Sequence, residues 1–142
     1  MTAVDVYWHL FGHIIYTYDV IDVEERIDRN QRILDLLEQE GQPPKVHLLI
    51  DFSSTDHGNY SYALSERLEH HKDNDELRES SKRLADNSLF GWVVSIGAQN
   101  EELTASANVM ATKLKYRRRV VDTLEEAIEF LKKVDSNLNE KV

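Results

Sequence analysis

The sequence predicts an α/β fold: a mixed, mostly parallel sheet of about five strands, opened by an antiparallel hairpin and accompanied by four or five helices. Three observations carry this expectation. Strand-length apolar runs alternate with segments of helical periodicity, the order that builds parallel sheets joined by right-handed crossovers. Two runs, VHLLIDFS and GWVVSIG, are almost continuously apolar, as strands buried on both faces are. The opening VYWHLFGHIIYTYDVI is rich in aromatic and β-branched residues and is broken only at Gly12, which permits a tight reversal.

The hairpin strands are expected at about 4–11 and 13–20. On the second, Ile14, Tyr16, Tyr18 and Val20 share one face, with Ile15, Thr17 and Ile21 opposite. The period then changes. Val23, Ile27, Ile33 or Leu34, and Leu37 predict a helix over 23–40, capped by Asp22 with Glu25 three positions on, and ended by Gly41 and Pro43–Pro44. KVHLLIDFS follows as a central strand. After the polar loop that begins at Asp51, Ala63, Leu64 and Leu68 suggest a short helix. The charged stretch 66–86 reads as two surface helices, or one broken near Asp73–Asn74–Asp75.

GWVVSIG is the next buried strand. Asn100 caps a helix whose stripe is Leu103, Ala107, Met110, Ala111 and Leu114. KYRRRVV supplies the last strand, and Thr123 caps a final helix expected to bury Leu124, Ala127, Ile128, Leu131 and Val134. The order is β-β-α-β-α(α)-β-α-β-α. The expected core is Leu49, Ile50, Val93, Val94, Ile96, Leu103, Met110, Leu114, Ile128 and Leu131.

The 142 residues suit a single domain spanning 1–142. The absence of cysteine removes disulfides, thiol nucleophiles and thiolate metal sites. A net charge of −9 opposes general binding to nucleic acid or anionic membranes and favours a basic partner surface. The longest apolar runs fall far short of the roughly 20 residues that span a bilayer, so no integral membrane segment is expected. The start, MTAVDVYWHLFG, lacks the pattern of an export signal, and a cytoplasmic location is expected.

With the hairpin and its Gly12, VHLLIDFS running into a polar loop, GWVVSIG, and the closing RRRVVDTLEEAIEFLKK, the chain resembles the STAS-like, SpoIIAA-like superfamily, relatives of the anti-sigma-factor antagonists. The resemblance covers nearly the whole chain, and TLEEAIEFL after a short strand is its most characteristic part. It implies a small bacterial regulatory module that acts through protein contact rather than an enzyme. In the antagonists a serine at the tip of the helix after the third strand is phosphorylated, within an aspartate-serine-serine-glycine pattern. The matching region here reads Asp56-His57-Gly58-Asn59-Tyr60-Ser61, which lacks that pattern, and Ser61 is the nearest candidate phosphoacceptor.

Ligands in open α/β sheets bind beyond the carboxyl ends of the strands, where Asp51 to Asn59, Gly97 to Asn100 and Asp122–Thr123 are expected to gather. Asp51, Ser53, Ser54, Asp56, His57 and Asn59 are therefore the candidate recognition loop. A hydrolase would need Ser53, Ser54 or Ser61 activated by His57 with Asp51 or Asp56, and no Gly-x-Ser-x-Gly elbow supports it. A metal could draw on Asp51, Asp56 and His57, or on His70 and His71. The latter pair point about 100° apart on a helix, and no metal-ligand spacing motif is present. No catalytic residue, metal or cofactor is assigned.

Lys113, Lys115 and Arg117–Arg118–Arg119 are the one basic cluster. They read either as an edge strand guarded by charge or as a docking site for an anionic lipid head group or acidic surface. The leading expectation is a non-enzymatic module with a protein partner, and a homodimer through an exposed sheet edge. The alternative is a small-molecule or lipid carrier in which Tyr7, Trp8, Phe11, Tyr16 and Tyr18 line a pocket. A hydrolase using the Ser53–Ser61 loop is third.

Overall fold

The computed structural model describes residues 5–20, 22–40, 45–53, 73–97 and 115–139, together with Glu69 and Thr112. Among them are strands β1 (Val6–Leu10), β2 (Ile14–Tyr18), β3 (Val46–Asp51), β4 (Phe90–Ile96) and β5 (Arg117–Val121). The helices are α1 (Val23–Glu40), α2 (Asp75–Asp86) and α3 (Leu124–Val134), followed by a 3-10 turn at Ser136–Leu138. The five strands form one sheet in sequence order. β1 and β2 are antiparallel, and the other pairings are parallel. The hairpin turns at Gly12, whose φ of 77° lies in the left-handed region that glycine adopts without strain. Its strands are shorter at both ends than the sequence suggested.

A sheet that grows in one direction through right-handed crossovers puts its crossover helices on one face. Accordingly Ile33, Leu34 and Leu37 of α1 and Leu84 of α2 pack with Ile15, Val46, Leu48 and Val93. Asn30 Nδ2 links the two helices by donating to the hydroxyls of Ser80 and Ser81, each at 3.1 Å. α3 follows the last strand instead of joining two, and it covers the other face. There Ala127, Leu131 and Leu138 pack on Ile14, Tyr16, Leu49, Val94, Ile96 and Val121. β3 lies in the middle of the sheet and is apolar because both of its faces are covered.

Two of the predicted caps, at Asp22 and Thr123, are present, and the third, at Asn100, lies outside the described residues. Asp22 Oδ1 accepts from Glu25 N at 3.1 Å, and Thr123 Oγ1 accepts from Glu126 N at 3.2 Å while Glu126 reaches back to Asp122 N. α2 starts just after its N-cap Asn74, whose Oδ1 accepts from Leu77 N at 2.9 Å, within the Asp73–Asn74–Asp75 stretch where the sequence suggested a break. Three expectations about burial need correction. Leu124 and Val134 are exposed, because α3 buries only the narrow stripe through Ala127 and Leu131. Ile128 is half-buried on the flank of that stripe. Ile50 is also half-buried, packing against Phe52 and against the flank of the α1-side core. The predicted helices at 63–68 and 100–114, with Leu103, Met110 and Leu114, lie outside the described residues apart from Thr112.

Candidate functional site

The site forms where β2 and β3 end. Parallel pairing sets Tyr18 opposite Asp51, and alternation puts Tyr16, Tyr18 and Asp51 on the face that α3 shares. The Tyr16 hydroxyl donates to Asp51 Oδ2, and Ser53 N donates to Asp51 Oδ1 at 2.8 Å, an aspartate-centred turn that starts the loop. Both oxygens of a nearly buried carboxylate are thus occupied. Burial alone would raise the Asp51 pKa, but hydrogen bonds from Ser53 and Tyr16 outweigh it and hold the carboxyl below its ordinary value. Burial, and then donation to Asp51, push the Tyr16 phenol well above its ordinary value, so it stays protonated as the donor.

Around this pair lies an aromatic platform. β1 pairing brings Tyr7 opposite Tyr16, with the rings stacked at 5.4 Å. Tyr18 meets Tyr16 edge-on at 5.5 Å, and His9 lies 6.2 Å from it. Tyr16 is buried under these neighbours, whereas Tyr7 is 46% and Tyr18 38% exposed. α3 packs chiefly on β4 and β5, so the β1–β2 half of this face presents tyrosine to the surface. Phe11, at the hairpin tip, is exposed as well.

β4 closes the far side of the site. Gly97, at φ 77°, turns the chain beside Ser53, and a Cβ there would lie 3.5 Å from the Ser53 backbone. The sequence expectation that Asp51, Ser53, Gly97 and Asp122–Thr123 collect at the carboxyl ends therefore holds for all of these described residues: β5 runs parallel to β4, and Gly97 N donates to Val121 O at 2.9 Å. Asp122 and Thr123 follow β5, where they cap α3. Ser54, Asp56, His57, Asn59 and Ser61, as well as His70 and His71, lie outside the described residues. Among the described residues no three His, Asp or Glu side chains form a metal-binding group.

A second buried polar cluster, at the opposite end of β3, was not foreseen. β4 carries one extra residue against β3 between Val46 and Leu48, a bulge at Gly91–Trp92. The freed Trp92 amide donates to His47 Nδ1 at 3.0 Å, so Nε2 carries the ring proton and faces Asp135 Oδ2 at 2.8 Å. Glycine is required in the bulge: a Cβ on Gly91 would lie 2.5 Å from His47 Nδ1. Asp135 Oδ1 accepts from the amide and the side chain of Asn137. Burial lowers the His47 pKa despite the carboxylate, and the hydrogen bonds from His47 and Asn137 hold Asp135 below its ordinary value. With both ring nitrogens committed, His47 is a neutral strut.

Tyr16 was placed on its correct face by alternation, but its contact with Asp51 was missed. The only sequence signal is a tyrosine strand followed by a strand ending in aspartate. Comparison with family models, curated proteins and solved structures finds no match to this chain. No described helix is long and apolar enough to cross a membrane.

Proposed function

We propose that this chain is a non-enzymatic, cytoplasmic regulatory module of the STAS-like type that binds a protein partner through the tyrosine platform. The observation that carries this reading is the exposure of Tyr7 and Tyr18 around the Asp51–Tyr16 pair on a rigid sheet. Tyrosine rings give large contact area at low entropic cost, and such residues anchor protein interfaces. The Asp51 charge, the ring faces and the net charge of −9 suit a lysine or arginine side chain of a basic partner.

Asp51 and Ser53 open the recognition loop that continues through Ser54, Asp56, His57 and Asn59 to Ser61. A phosphate on Ser61 would add nearly two negative charges to the chain segment that follows Ser53, which is the physical basis for a switch there. Self-association through the exposed edge of β1 is the competing occupant.

The test is quantitative affinity capture from the source cell with the wild type, Tyr7→Ala/Tyr18→Ala, Ser61→Ala and Ser61→Asp, with light scattering alongside. A partner retained by the wild type and lost by the double variant is expected, and Ser61→Asp should change its retention where Ser61→Ala does not. Equal retention by the wild type and the folded double variant would overturn the platform reading. A concentration-dependent dimer abolished by the double variant would assign the face to self-association.

A further inference from the structure

The end of the sheet opposite the tyrosine platform holds a cleft of about 340 Å³, in the size range of small-molecule sites. None of the hairpin aromatics lines it. Its walls include Phe90, Trp92 and Tyr116, and its cations are Lys45, Lys115 and Arg117. Phe90 and Tyr116 meet edge to face with centroids 6.3 Å apart. The Arg117 guanidinium lies 5.9 Å from the Trp92 ring. Lys45 Nζ donates to Ser88 O at 2.9 Å, which leaves it further donors. Neither Lys115 nor Arg117 forms an ion pair with a described residue.

Three cations in one cleft of a protein of net charge −9 form a local reversal of sign. One acid also lines the cleft, Asp135, and its two oxygens are already filled by His47 and Asn137. Lys115 has φ of 59°, a left-handed backbone that lysine seldom adopts. It enters β5 from there, and alternation then separates Arg117 and Arg119 from Arg118, which burial holds below its ordinary pKa. The basic run is thus divided: Arg117 serves the cleft, and Arg119 lies over the Phe130 ring at 5.2 Å.

We propose that this cleft binds a small organic anion with a phosphate group and a flat apolar body. Lys45, Lys115 and Arg117 would hold the phosphate, and Trp92, Phe90 and Tyr116 the body. Arginine supplies a planar fork for phosphate oxygens, lysine a compact charge, and the aromatic walls bury the apolar part. The competing explanation is that the cations only answer the carbonyl ends of α2 and α3, which point to this end of the sheet. Those ends are partly satisfied already, by Asn87 N on Leu84 O and Asp135 N on Leu131 O.

Amide and indole NMR of the whole chain, titrated with phenyl phosphate, inorganic phosphate and phenol, tests this. Phenyl phosphate should shift the Gly91 and Trp92 signals and bind most tightly, with inorganic phosphate weaker and phenol weakest. Lys115→Ala and Arg117→Ala should each weaken phenyl phosphate by about tenfold or more. Arg119→Ala on the same strand should leave its affinity unchanged. Shifts absent at concentrations on the order of 10 mM, or an affinity equal in all three variants, would overturn the proposal. A lowered Tm in the lysine and arginine variants with unchanged affinity would overturn it too, assigning the cations to the helix ends.

Discussion

At opposite ends of β3 the molecule uses one device twice. Asp51 and Asp135 each accept from the backbone amide two residues on, at 2.8 and 3.0 Å, and each accepts on the other oxygen from a ring-bearing side chain distant in sequence. Both carboxyls are held below their ordinary pKa values. The surroundings differ. His47 is clamped between the Trp92 amide and Asp135, with Gly91 giving it room, and its side chain is 3% exposed. Tyr16 instead stacks against Tyr7 and meets Tyr18 edge-on, and both of these neighbours face outward. The same acid chemistry is closed into a strut at one end and set beneath an accessible surface at the other. Accessibility of the second layer of side chains, rather than the carboxylate, distinguishes the candidate site.

Breaking the closed end should cost most. His47→Ala leaves the Trp92 amide and Asp135 Oδ2 without partners and opens a hole, and should cost roughly 2–5 kcal/mol in urea denaturation. Tyr16→Phe removes one donor to a charged carboxylate and should cost about 1.5–3 kcal/mol. Gly91→Ala forces the pinned imidazole to move and should cost about 1–3 kcal/mol, relieved when combined with His47→Ala, in a double-mutant cycle.

Acidity separates the two ends. The folded His47 pKa lies below its ordinary 6.5, so the unfolded chain binds the proton more readily. The contribution is full above 6.5 and is lost as pH falls through the folded value; Asp135, His13 and Lys45 are the charged or titratable groups facing the ring. Asp51 also has a lowered folded pKa, so its contribution is present above 3.8 and disappears at more acidic pH. Stability measured across this range should lose its His47 slope in His47→Gln and keep it in Tyr16→Phe, which should flatten only the more acidic part. An unchanged slope in His47→Gln would show that the imidazole is not held neutral. Smallest of all, Tyr7→Ala/Tyr18→Ala should move the melt little, about 0.5 kcal/mol per exposed site, and act on partner binding instead.

The sequence disclosed what depends on near neighbours. Caps at Asp22 and Thr123, the reversal at Gly12 and the uninterrupted β3 and β4 runs each reflect chemistry within a few residues. The flanks of α3 were misjudged because a periodic stripe says which residues point inward, not how wide the contact is; Leu124 and Val134 fall beyond it. The site was legible only as a place. That Asp51 ends a buried strand at the ligand-facing side followed from apolar continuity, but its bond to Tyr16 depends on the register that puts Tyr18 opposite Asp51. The His47–Asp135 contact spans 88 positions and needs a bulge that no local pattern announces.

The imidazole strut also ties the fates of two parts of the chain together. Asp135 is the C-cap of α3, so that helix cannot lift from the sheet without withdrawing the carboxylate from His47 Nε2. His47 would then be freed to turn, and its hold on the Trp92 amide would weaken in the same event. Amide exchange at Trp92, near the amino end of β4, should therefore follow the undocking of the terminal helix rather than fraying of the adjoining strands. A single backbone proton, held by a ring nitrogen instead of a carbonyl, would report how often the end of the chain lets go.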